Sequence, residues 1–314
     1  MGWYYLTLFA LSALALDLAA EGAPEIGIGF FILTVAYEWA VGRQRRSWGV
    51  CVMAAITGLL ATESLAGAAV YACSVQLGVG MGMAFRRHWT FGACVASITA
   101  AVYGVALYGM VSQWSVTRSQ LTIAVNSMIA RIEEVGRQGG GLNELRVEQL
   151  KWIDLNWAYV GPGLLFGFVL MGTTAAVAFL SVMVRRAQVT SLPATRFRRM
   201  RTSEWLVWPA ILVALLWFVD RRWPHEALRV LTWNSAMALT FVYALNGLSI
   251  IVYAMGAFQL GTAMAAIIAV VVFLSGAQTL VPLGLFDTWW DFRRVVDRLI
   301  QMRRMKGSSG PTDA

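Results

Sequence analysis

Apolar runs of near-membrane length, separated by short charged connectors, account for most of the chain. Candidate spans fall at residues 3–20, 26–41, 48–62, 65–85, 89–111, 157–184, 205–219, 228–255 and 261–283. A helix rises about 1.5 Å per residue, so about 20 such residues cross a hydrocarbon core of roughly 30 Å. Tryptophans recur at or near the ends of these runs, at Trp3, Trp48, Trp89, Trp157, Trp205 and Trp289, where an indole suits the boundary between headgroups and tails. The pattern predicts an all-α, polytopic helical membrane bundle of eight or nine transmembrane helices. The apolar start at Trp3 has no basic stretch before it and no clear cleavage site, so it reads as a retained first span.

One segment changes character. Within residues 113–156, Leu121, Val125, Met128, Ile132 and Val135 recur at helical spacing, with Arg131, Glu133 and Glu134 largely on other faces. Three glycines at 139–141 break this pattern and LNELRVEQLKWI resumes it, which predicts an amphipathic helical hairpin on the outer membrane surface. Such a hairpin either packs on that surface or forms a lid or docking surface. The organisation expected is a five-span bundle at 1–112, the extracytoplasmic hairpin at 113–156 and further spans at 157–284 with a basic loop at 185–204. An interfacial amphipathic helix at 285–306 and a disordered tail at 307–314 follow.

Composition agrees: 58% of residues are hydrophobic and 13% charged, against roughly a quarter charged in soluble domains. The net charge of +8 does not point to nucleic acid, because the basic residues sit in connectors. These are Arg43, Arg45 and Arg46; Arg86 and Arg87; six arginines between 185 and 201; and the tail from Arg293. Cytoplasmic loops facing anionic lipid carry this bias. It puts the N terminus in the cytoplasm and the hairpin, with five basic and five acidic residues, outside. Nine crossings would then leave the basic tail outside, against the same rule. Eight crossings with a cytoplasmic tail satisfy it, and the short runs 48–62 and 205–219 are the weakest spans.

Candidate chemistry is sparse. No phosphate-binding GxxxxGK[ST], HExxH or nucleophile-elbow pattern occurs, and Cys51, Cys73 and Cys94 lie in apolar runs without metal-ligand spacing. Neither an enzyme, a cofactor nor a metal is expected. Ionisable groups within spans are costly, which singles out Asp17, Glu38 and Glu63. Asp17 and Glu63 could border an external vestibule for a cationic or hydrogen-bonding solute, or simply reach the interface. Asn234 and Asn246 are twelve residues apart, more than three turns, so one ligand would rarely touch both; interhelical hydrogen bonding is the competing role. Ala15-x-x-x-Ala19 and Gly78-x-x-x-Gly82 place small side chains on one helical face, for internal packing or a partner subunit.

The run LGLFDTWWDFRR, residues 283–294, closes the last span. On a single helix starting near Phe286, Asp287 and Asp291 lie one turn apart and Asp291 pairs with Arg294 at i,i+3. Phe286, Trp289, Phe292, Val296 and Leu299 or Ile300 form its apolar face, which predicts a helix in the membrane interface with arginines toward headgroups.

With ALNGLSIIVY and FRRMRTSEWLVW before it, this ending resembles that of the YybS-like family of bacterial membrane proteins. Their pattern of Leu-Gly-x-x-Asp-x-aromatic-x-Asp-aromatic-Arg is matched here by Gly284, Asp287, Trp289, Asp291 and Arg293, with Arg294 following. The resemblance covers residues 197–294 best, and Asn246-Gly247 stands where that family more often has Gln-Gly. It implies a multi-pass protein of the bacterial cytoplasmic (inner) membrane, distantly similar to the S components of energy-coupling factor vitamin transporters. Those bind a small solute and borrow a separate ATPase. Two roles follow: a solute-binding transporter subunit, or a non-transporting scaffold or assembly subunit working through the hairpin and basic tail. Beyond the lipid bilayer, the partners implied are a solute in the first case and a membrane or cytoplasmic protein in the second.

Overall fold

The computed structural model describes residues 24–42, 44–62, 65–136, 142–186, 197–200, 202–260 and 277–308, with positions 264, 268 and 272 between. Regular structure among the described residues is entirely helical. The helices are α1 (Pro24–Ala40), α2 (Gln44–Thr62), α3 (Leu65–Arg86), α4 (Phe91–Ser112), α5 (Trp114–Gly136), α6 (Leu142–Leu155) and α7 (Trp157–Arg186). They continue with α8 (Val207–Arg222), α9 (Glu226–Ala257), α10 (Ala277–Trp290) and α11 (Phe292–Ser308), and short 3₁₀ turns lie at Phe197–Arg199 and Glu204–Leu206. Among the described residues, α4, α7 and α9 are long and apolar enough to cross a membrane, while α1 and α2 carry shorter apolar stretches at 31–40 and 49–60. The first expected span at 3–20 lies outside the described residues, as does most of 261–276.

The chain divides into two compact units. In the first, residues 1–98 with 172–200, α1, α2 and α3 pack around Phe31, Val35, Val50, Ala54 and Val75, all with no exposed surface. The small-residue pair Gly78 and Gly82 makes this possible. A Cβ on Gly78 would stand 2.3 Å from the Ile32 carbonyl oxygen, and one on Gly82 would stand 2.7 Å from that of Ala36. The spacing therefore serves packing within the chain, α3 against α1. Glu38 is buried in α1, Cys94 is buried at the start of α4, and Cys51 is half-buried in α2.

In the second unit, residues 99–171 with 201–314, α9 is the common partner. The expected hairpin is present as α5 and α6, joined by Thr122 Oγ1 donating to Asp154 Oδ1 at 2.9 Å and by an Arg118–Asp154 ion pair at 3.7 Å. Its inward face differs by one position from the sequence reading: Val125 and Ile129 are buried, whereas Met128 is turned outward. Trp152 of α6 packs edge-on against Trp233 of α9, with ring centroids 5.8 Å apart. At the α8–α9 turn, an open, mainly apolar groove of about 690 Å³ is lined by Trp223, Pro224, His225 and Leu228 among others.

Gly80, on α3 between the two packing glycines, has open space where a Cβ would go. Gly82→Leu is expected to destabilise the detergent-solubilised protein by about 1–3 kcal/mol, the usual cost of overpacking, while Gly80→Leu leaves its thermal unfolding midpoint unchanged. Equal midpoints for the two variants would contradict the α1–α3 packing.

Candidate functional site

Asparagine, aspartate and arginine are the expensive residues of apolar helices, so their partners locate what the fold is built to hold. Asn246 of α9 has no exposed surface, Asp287 of α10 keeps 1% and Arg293 of α11 keeps 8%. All three meet at one corner. The Asn246 amide donates to the Gly284 carbonyl at 2.8 Å and lies 3.5 Å from Asp287 Oδ2. Both neighbours are acceptors, which fixes the NH₂ on that side and leaves Oδ1 buried without a hydrogen-bond partner. The approach is close because two glycines face each other across it. A Cβ on Gly284 would lie 1.9 Å from the Tyr243 carbonyl oxygen, and one on Gly247 would lie 2.1 Å from that of Leu280.

The chain then turns a corner. Asp291 adopts φ +43°, a left-handed conformation that asparagine and aspartate tolerate better than most residues. It ends α10 and starts α11. Asp287 Oδ1 accepts the Phe292 N–H at 2.9 Å, satisfying one of the first donors of the new helix, and Oδ2 pairs with Arg293 NH1 at 2.5 Å. NH2 of the same guanidinium donates to Ser249 Oγ at 2.6 Å, and that hydroxyl donates to the Asn246 carbonyl at 2.7 Å. One turn on, Tyr253 of α9 donates to Asp297 at 2.5 Å. Contacts of 293 with 249 and 297 with 253 make α11 parallel to α9.

This corrects the single interfacial helix expected over 285–306: residues up to Trp290 belong to α10, and the helix after the corner begins at Phe292. Asp287 and Asp291 are therefore not equivalent positions on one face. The expected Asp291–Arg294 pair does form, at 3.0 Å, on the surface. Phe286, Trp289 and Trp290 are exposed and make a ring cluster, with Phe286 stacked on Trp290 at 5.2 Å.

Asn234 lies apart from this corner, in a contact with a different helix. Pro162, inside α7, has no N–H to give the Ala158 carbonyl four residues back. Asn234 Nδ2 lies 3.4 Å from that carbonyl and donates to Val230 O at 2.8 Å, while its Oδ1 accepts the Gly163 N–H at 2.7 Å. Gly163 and Gly167 let α7 approach α9 there: Cβ atoms on them would stand 2.7 Å from the Asn234 carbonyl and 2.2 Å from the Phe241 ring.

Thus the structure does not bring Asn234 and Asn246 together, while Asp17, Glu63, Ala15 and Ala19 lie outside the described residues. Among the described residues no group of three or more His, Cys, Asp or Glu could hold a metal ion. Ser249, Tyr253 and Asp297 complete the corner and had no sequence signal of their own. Gly163-x-x-x-Gly167 did carry one, of the same form as Gly78-x-x-x-Gly82.

Apolar helices closed by internally paired polar groups define a helical integral membrane protein. The chain belongs to the family described as Predicted membrane protein (DUF2232), whose model matches residues 10–288 and so takes in Asn246, Gly284 and Asp287. No curated protein and no solved structure matches it.

Breaking a buried ion pair from one side strands a charge, at a cost of about 3–5 kcal/mol. Arg293→Met is expected to cost that much in detergent unfolding, and Asp287→Asn a comparable amount. The double variant should lose clearly less than the sum of the two; strictly additive losses in the double-mutant cycle would contradict the pair. Asn234→Leu should cost about 1–3 kcal/mol by leaving backbone groups unpaired. In a Pro162→Ala background, where Ala158 regains a helical donor, the measured penalty should shrink.

Proposed function

We propose that this protein is a non-enzymatic scaffold or assembly subunit of the bacterial cytoplasmic membrane, acting through the α5–α6 hairpin. The observation that carries this reading is the use made of the polar groups in α9. Both donors of Asn234 and its acceptor are turned to backbone groups of α7 and α9, and the Asn246 amide is turned to α10. A solute would have to displace bonds that hold helices together. The hairpin, in contrast, presents large apolar side chains outward: Ile123 is 69% exposed, Met128 55% and Leu155 77%. Exposed apolar groups on an amphipathic element are what a membrane partner buries.

The topology we infer has eight crossings, the N terminus and basic tail in the cytoplasm and the hairpin outside. Support comes from the arginine-rich connectors and from α11 running parallel to α9 after the corner at Asp291. The resemblance to YybS-like proteins and, through them, to S components supports the bacterial membrane as the location. It also supplies the competing outcome of the test below, a solute-binding subunit with Asp17 and Glu63 at an outward cavity.

A photo-crosslinking amino acid at Met128 is expected to yield one discrete protein adduct in cells, and deletion of the gene to leave energised vitamin uptake intact. No adduct at Met128 or Ile123, together with lost uptake and vitamin binding by the purified protein, would replace the scaffold reading with transport.

A further inference from the structure

Helix α11 is turned the unusual way round. An amphipathic helix packed on its own protein normally presents its apolar stripe inward. Here the residues that meet α9 are Arg293 and Asp297, bonded to Ser249 and Tyr253. At about 100° per residue, Val295, Leu299 and Met302 lie on roughly the opposite side of the helix. They are 45%, 47% and 52% exposed. Arg294 and Arg298, both exposed, border this stripe. In sequence α11 carries six basic residues and one acid, Asp297, which is engaged by Tyr253; Arg294 pairs with the adjoining Asp291, yet its side chain stays 76% exposed. The exposed Phe286, Trp289 and Trp290 cluster, side chains that favour the headgroup boundary, reaches α11 through the edge-on contact of Trp290 with Phe292 at 6.1 Å.

We infer that α11 is a recognition element for anionic phospholipid. Its Val295–Leu299–Met302 stripe lies in the interface of the bilayer, with Arg294 and Arg298 on lipid phosphates. Two observations favour lipid over a protein partner. The uncovered stripe is flanked by a basic excess, which an anionic leaflet complements, and it is continuous with an aromatic cluster of the kind found at headgroup depth. The Asp287–Arg293 clasp supplies the orientation, because it pins the polar side to α9 and so leaves only the apolar side free. Lipid charge would then set whether α11 is seated.

The test uses full-length protein in nanodiscs, with Cys51, Cys73 and Cys94 replaced by Ser and a spin label at Leu299→Cys or, as an aqueous reference, at Gln301→Cys. In discs containing phosphatidylglycerol, the label at 299 should collide several-fold more with oxygen than with a water-soluble nickel chelate. In discs of phosphatidylcholine alone that ratio should fall several-fold, while the label at 301 stays aqueous in both. Arg294→Gln with Arg298→Gln should reproduce the fall in phosphatidylglycerol discs; the lipid exchange tests the same point on unaltered arginines. A ratio indifferent to headgroup charge would overturn the inference. So would a label at 299 that is equally aqueous in all discs, or shielded from both reagents as beneath a protein partner or a second copy.

Discussion

A carboxylate with 1% of its surface exposed cannot stay charged in an apolar bundle unless the chain supplies its partners, and Asp287 collects them from every element around it. One oxygen holds the first turn of α11 and the other holds Arg293, which in turn reaches Ser249 on α9. The corner has to be where it is for these bonds to exist. Asp291 must take a left-handed conformation to break the helix within reach of Asp287, and Gly247 and Gly284 must lack side chains to bring α9 and α10 together. What ties α11 to α9 is polar throughout, Arg293 on Ser249 and Tyr253 on Asp297, while the apolar stripe faces away from it.

The same constraint explains the polar residues elsewhere in the unit. In a medium without water, an orphaned carbonyl or N–H must be satisfied from inside the protein. Proline in α7 creates such an orphan at Ala158, and Asn234 answers it from the neighbouring helix while two glycines let it come near. Asn234 and Asn246 thus share a function despite lying in different contacts: each brings a side-chain amide from α9 to a backbone carbonyl on another helix. Interhelical bonds of this kind are modest, on average about 0.6 kcal/mol. Their value lies in fixing which helices meet and at what register, which is the behaviour of a framework.

How far the sequence could be read depends on whether a feature is local. Helices, their approximate ends and the hairpin follow from periodicity over a few turns, and Asp291–Arg294 follows from spacing alone. Gly78-x-x-x-Gly82 signalled a close contact without saying with what, since the partner, α1, is known only when the helices pack. The corner was misread for a physical reason. Every residue from Phe286 to Ile300 suits a helix, and the break at Asp291 is imposed by long-range bonds from Asp287 and Arg293 to elements before and after it. Met128 and Ile129 are adjacent on α5, and which of them is covered depends on what packs against the helix and not on its own periodicity.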